Sequence, residues 1–234
     1  MNRTLGIFAK APVAGTVKTR MAADTSPRSS SWAAEVYEAC LLDVLDRVQA
    51  LAVHRVLVYE PLNAAEWFAQ AGQNRFTLVA QEGETLGDRL NHFFAEQFRC
   101  GARAVVALGA DSPSLPVEFI AQAYAELARA DVVLGPCTDG GYYLIGMRRL
   151  VPELFASITW STPQVLEQTI RQIQHLPVTL ALLPPWYDVD TLADWQCLRG
   201  HVAAMLRAGV DPGLPRVLAK LTRDAASDSS SRGM

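Results

Sequence analysis

RAVVALGADSPSLP, Arg103–Pro116, is the stretch that decides the fold. Five apolar residues, Ala104–Leu108, run unbroken and stop at Gly109-Ala110-Asp111. A short apolar run closed by a turn is the pattern of a strand buried on both faces of a parallel sheet. Gly109 and Ala110 leave room at the strand's carboxyl end. Asp111 follows at the place where open α/β sheets bind ligands. Ser112-Pro113 stops the strand, and Pro116 with Glu118 suits the start of a helix. A carboxylate there is costly unless it meets water, a donor or a metal. Asp111 is therefore either a ligand-facing carboxylate or the cap of its own turn.

Upstream, Thr4–Ala9 reads as a first strand, followed by KAPVAGTVKTR, Lys10–Arg20. That segment carries three cations, Lys10, Lys18 and Arg20, with one Gly and one Pro, and almost no helical periodicity. It reads as a loop at a strand's carboxyl end, where backbone N–H groups and cations converge on phosphate. Val17 precedes Lys18-Thr19, so the Gly-rich frame of a P-loop is absent. The plainer alternative is a solvated basic turn. Ser26–Ser31 suits a helix entry, and Trp32–Ala50 has helical spacing. Val53–Tyr59 and Phe76–Gln81 read as strands, with a short helix over Asn63–Gln70 between them. Alternating strands and helices argue for a parallel α/β sheet.

Thr85–Arg99 reads as a helix in which Gly87 is out of place, costing about 1 kcal/mol against Ala. Near a helix start, Gly87 would let backbone approach a ligand. Arg89, one turn in, reaches either an anion or a surface partner at Glu82 or Glu84. Downstream of the central stretch, Val117–Arg129 reads as a helix and Asp131–Cys137 as a strand. Thr138-Asp139-Gly140-Gly141 is a tight turn leading into a strand over Tyr142–Met147. A D-G-G connection predicts a hairpin, so one strand should run antiparallel to the rest. The two glycines also allow close approach of a bound molecule. Ser161 or Thr162 with Pro163 opens a helix through Gln174, and Pro177–Leu183 is the last strand. Its exit carries Asp188 and Asp190, whose oxygens face one way if the chain is extended and then suit a hard cation such as Mg²⁺ or Mn²⁺. Thr191 with Asp194 makes a capping-box pattern.

The chain has 234 residues, half of them apolar, which is enough for one large domain with a real core. A net charge of -3 gives no bulk attraction to nucleic acid or to an anionic membrane. No apolar run reaches the length of a membrane span, and no signal-peptide pattern precedes the first strand. Four scattered cysteines argue against a zinc site or a disulfide framework and point to a reducing cytoplasm. The Ser- and Asp-rich tail after Leu221 reads as disordered.

The landmarks KAPVAGTVKTR, GADSPSLP, GPCTDGGYYLIG and DVDT, in that order, resemble the DUF2064 family. Its members are GT-A-like transferases labelled rSAM/selenodomain-associated transferase 1 or arsenosugar-biosynthesis glycosyltransferases. The resemblance spans roughly residues 4–206, and LFASITWST also fits it. More distantly the chain resembles phospholactate and molybdenum-cofactor guanylyltransferases. The resemblance implies a three-layer α/β/α GT-A fold (nucleotide-diphosphosugar transferase), mostly parallel with one antiparallel strand, over residues 1–222, with residues 223–234 as a tail. It implies a nucleotide or nucleotide-sugar donor, a small-molecule acceptor, and Mg²⁺ or Mn²⁺. By position, Lys10, Gly15, Lys18 and Arg20 would meet phosphates, with Gly87 and Arg89 nearby. Asp111 and Asp190 would hold the metal, and Asp139, Gly140 and Gly141 would line the acceptor side. The DSP segment supplies one Asp where many glycosyltransferases carry two. The basic first loop is more like that of nucleotidyltransferases. The implied activity is nucleotide-sugar-dependent glycosyl transfer, with nucleotidyl transfer or catalysis-free nucleotide binding as alternatives. A haloacid-dehalogenase phosphatase is set aside because Pro113 stands where its second Asp belongs.

Overall fold

The sheet grows outward from β1 (Arg3–Lys10), whose burial on both sides follows from its near-continuous apolar run. The computed structural model describes residues 2–24 and 29–231. After β1 come α1 (Thr19–Asp24), α2 (Ser30–Arg47), β2 (His54–Glu60), α3 (Ala65–Ala71) and β3 (Thr77–Ala80). Then follow α4 (Leu86–Arg99), β4 (Ala104–Gly109), α5 (Val117–Glu126), β5 (Val132–Pro136) and β6 (Tyr142–Met147). The chain continues with α6 (Val165–Gln174), β7 (Leu180–Leu182), α7 (Leu192–Arg207) and α8 (Pro215–Ser231).

Among the described residues seven strands form one sheet, ordered β3-β2-β1-β4-β6-β5-β7. β6 runs antiparallel to both neighbours, while every other pairing is parallel. The hairpin expected from Asp139-Gly140-Gly141 joins β5 to β6, and it makes β6 the one reversed strand. The central strand β4 is buried along its whole apolar run and pairs with β1 and β6.

Strand alternation divides the core. Val105, Ala107, Val132, Leu134, Ile145 and Met147 point to one face, where Leu90, Phe93 and Phe94 of α4 and Ile173 of α6 cover them. On the other face Gly146 is closed in by Val106, Val133 and, at the end of α5, Leu127. The expected α/β/α layering is therefore present around this sheet.

The chain forms two compact units. The first comprises Met1–Ala11, Gln49–Ala110 and Leu115–Asp188, and holds the whole sheet with α3 to α6. The second comprises Pro12–Val48, Asp111–Ser114 and Val189–Met234, and is helical: α1, α2, α7 and α8. The span expected as one domain is thus built from two units. In the second, α2 packs against α8, and α8 continues through Ser231 into the stretch expected to be a disordered tail. Residues 25–28, part of the expected polar helix entry, lie outside the described residues. Ser29 takes the N-cap position of α2 without a side-chain cap bond. Thr85 and Thr191 both make complete capping boxes, with Asp88 and Asp194. Among the described residues no helix is long and apolar enough to cross a membrane. All four cysteines are free thiols.

Candidate functional site

Asp111 lies two residues after the last residue of β4, and it does more than cap its turn. Its Oδ1 accepts a hydrogen bond from Lys18 Nζ, and the same ammonium donates to Asp190 Oδ1 at 2.7 Å. The backbone helps fix the pair, because Val189 N donates to Asp111 O at 2.9 Å. Lys18 is aimed inward by its neighbours. Val17 and Met21 are buried on either side of it, and Lys18 itself takes a left-handed φ of 48° at the entry to α1. Its side chain is only 4% exposed, against 41% for Asp111 and 35% for Asp190. The Tyr37 ring lies 5.5 Å from Nζ, at cation–π range. Burial by itself would push the ammonium's pKa down. The Asp111 and Asp190 charges override it and hold the pKa well above the ordinary lysine value. Nearby, burial pushes the Cys40 thiol up to about 12, which leaves it an inert neighbour.

Asp111 and Asp190, expected to converge on one divalent metal ion, instead meet at one ammonium group, that of Lys18. Among the described residues no donor meets the Oδ2 of either carboxylate, and both side chains are part-exposed. Two carboxylate oxygens on one point, from side chains partly open to solvent, suit a hard divalent cation.

Asp188, expected to act beside Asp190, joins a different group. Trp186 N donates to Pro136 O and Thr138 N donates to Trp186 O, both at 3.0 Å, which lays Trp186–Asp188 along the Cys137 segment. The Cys137 sulfur and one oxygen each from Asp139 and Asp188 lie within 4.8 Å of one another. Burial raises the Cys137 thiol, and the Asp188 charge raises it further. A mixed sulfur and oxygen set is less suited to Mg²⁺ or Mn²⁺ than the all-oxygen pair. The sequence signal was present in Cys137-Thr138-Asp139, but the contribution of Asp188 depends on the bridge between Cys137 and Trp186. Trp186 packs against Tyr187 (5.7 Å between centroids) and edge-on against Phe119 at 5.7 Å, forming a half-exposed aromatic cluster not foreseen from the sequence.

Gly15 is exposed, has φ 83°, and a side chain there would meet nothing within 4 Å. Arg20 is exposed on α1. Lys10 is exposed and pairs with Glu60 at 3.0 Å. Arg89 meets the same Glu60 at 2.6 Å, and also bonds Gln81 Oε1 and Gly83 O at 3.1 Å. The surface partners expected at Glu82 and Glu84 are therefore not the ones Arg89 uses. Gly87 is buried, and a Cβ there would stand 2.8 Å from Trp160 Nε1, so the indole fills the space expected for a ligand. Gly140 is closed in likewise: a Cβ would lie 2.1 Å from Pro163 O. The room expected beside the turn is occupied by the Pro163 backbone. Asp139 accepts a bond from Gly141 N at 2.9 Å, an Asx turn that orients its carboxylate.

A protein from Desulfovibrio desulfuricans G20, described as a candidate nucleotide-diphospho-sugar transferase, matches with 29% identity and a TM-score of 0.86 over 97% of this chain and 96% of that one. A cytidylyltransferase from Leptospira borgpetersenii shares the fold at 10% identity (TM-score 0.57; 97% and 96% covered). So does 4-diphosphocytidyl-2C-methyl-D-erythritol synthase from Anaerococcus prevotii, at 9% identity (TM-score 0.59; 86% and 96% covered). No curated protein matches the chain. The model of the family described as "uncharacterized protein conserved in bacteria" (DUF2064) matches residues 44–162, half of the sequence, and the chain belongs to that family.

Proposed function

We propose that this protein is a nucleotide-dependent transferase of the nucleotide-diphospho-sugar kind, moving a glycosyl group from a nucleotide sugar to a small acceptor. The observation that carries this reading is the convergence of Asp111 and Asp190 on one point, where Lys18 bonds both. The likeness in fold and sequence to the Desulfovibrio protein supports it. In this reading Asp111 and Asp190 hold Mg²⁺ or Mn²⁺, which supplies positive charge to the departing diphosphate. Gly15 gives the loop close approach to the donor, and Lys18 and Arg20 face its phosphates. Gly87, Arg89 and Gly140 serve the packing described above. Free thiols throughout suit a reducing compartment, and we assign the protein to the cytoplasm.

Nucleotidyl transfer is the second reading, favoured by the three cations of Lys10–Arg20. Lys10 is paired with Glu60 and Lys18 with Asp111 and Asp190 in either reading, so these cations do not separate the two. Titrating the protein with nucleotide sugars and nucleoside triphosphates, with and without Mn²⁺, and assaying the released products separates the readings. Release of nucleoside diphosphate from a nucleotide sugar, lost in Asp111→Asn, is the expected result. Pyrophosphate release from a triphosphate would favour the second reading, and binding without turnover would mark a non-catalytic nucleotide-binding protein.

A further inference from the structure

We propose that Lys18 makes the Asp111–Asp190 pair a site for a divalent cation that arrives with phosphate, and a poor site for the free cation. The inference rests on the reading of this pair as the metal site. Lys18 Nζ already bonds the Oδ1 of both carboxylates, so a dication entering between them meets a fixed positive charge. Repulsion at such separations is strong when one partner is shielded from water, and the Lys18 side chain is 4% exposed. The ammonium cannot simply retreat, because a buried charge stripped of its partner is costly. It needs a new anion.

A phosphate group carried by the metal supplies one. When metal and phosphate arrive together, the dication takes the two carboxylates and the ammonium passes to a phosphate oxygen, and no charge is stranded. Lys18 lies three residues beyond exposed Gly15, where the backbone has open space for that approach. Lys18 is thus a specificity-determining residue: it fills the carboxylate pair when no phosphate is present and yields the pair when phosphate comes.

The test is Mn²⁺ binding to the full-length protein, read by water proton relaxation enhancement, with inorganic pyrophosphate as the phosphate probe. Wild type should bind free Mn²⁺ about tenfold or more weakly than Lys18→Met, and pyrophosphate should tighten Mn²⁺ on wild type by a similar factor. Lys18→Met should lose most of that coupling, and Asp111→Asn should lose the site. Equal, tight Mn²⁺ binding by wild type and Lys18→Met, abolished in Asp111→Asn, would overturn the proposal while leaving the metal reading intact. The metal would then sit on the Oδ2 atoms with Lys18 in place. No Mn²⁺ on any variant, even with pyrophosphate, would defeat the metal reading itself. The wild-type coupling to pyrophosphate decides the matter alone if Lys18→Met does not fold.

Discussion

Asp43 Oδ2 lies 2.9 Å from the backbone nitrogen of Val217. Asp43, on α2, has no exposed surface, and it also accepts from Arg216 N at 3.1 Å and Arg216 NH1 at 3.1 Å. The first turn of α8 leaves N–H groups without intrahelical partners, and this carboxylate from another helix satisfies them. Burial raises the Asp43 pKa, although the Val217 and Arg216 bonds work against it.

Asp43→Ala should therefore destabilise the protein by about 3 kcal/mol, because it strands buried donors as well as removing their acceptor. Asp43→Asn keeps one oxygen and should cost less. Urea denaturation of both variants checks the order. A loss below about 0.5 kcal/mol for the alanine variant would show that α8 holds its place without this cap.

Asp131 governs an acid-sensitive contact. Its carboxylate accepts from Thr179 N and Thr179 Oγ1 at 2.9 Å, Arg148 Nε at 2.9 Å and Arg149 Nε at 3.2 Å. Those bonds, the Thr179 backbone first, hold its pKa well below the ordinary aspartate value. A lowered folded pKa contributes stability that is complete above the unfolded value, about 3.9, and drains away as pH falls toward the folded one. Asp131→Asn should cost about 2 kcal/mol at neutral pH. The gap to wild type should narrow progressively below about pH 4. Thermal melts across that range give the comparison, and a gap independent of pH would show that the charge contributes nothing.

Gly140→Ala and Gly141→Ala should differ sharply. Gly140 has φ 92° and backbone of Pro163 against it, whereas a Cβ on Gly141 would meet only the Asp139 carboxylate, at 3.3 Å. The first substitution should cost about 3 kcal/mol and the second about 1 kcal/mol or less. Chemical unfolding of the two variants side by side decides it, and equal costs would mean that the turn yields easily at both positions.

Much of the sheet was legible because its strands carry their own signals. β4 is an unbroken apolar run, β6 was bounded correctly at Tyr142–Met147, and the D-G-G turn announced the reversed strand. β7 came out shorter than Pro177–Leu183, since its first residues are spent on Asp131 and a proline follows soon after. The loop expected over Lys10–Arg20 gives way to α1 at Thr19, just after the left-handed Lys18. Local pattern singled out Asp111, Asp190 and Lys18 as candidates. It did not show that Lys18 lies between the two carboxylates, nor that Asp188 leaves Asp190 for Cys137. Glu60, Trp160 and Pro163 were missed for the same reason: each acts on a residue remote in sequence.

The helical unit is assembled from three separate stretches of chain, the last beginning at Val189. Synthesis proceeds from the amino end, so Lys18 emerges from the ribosome long before Asp190, its partner 172 residues later. Sheet strands β1 to β7 can pair while that lysine has only Asp111 of its two carboxylates to meet. The ionic lock between Lys18 and its two aspartates is therefore among the last contacts the newborn chain can make, and a product cut short before Asp190 retains sheet-forming segments without a complete carboxylate pair.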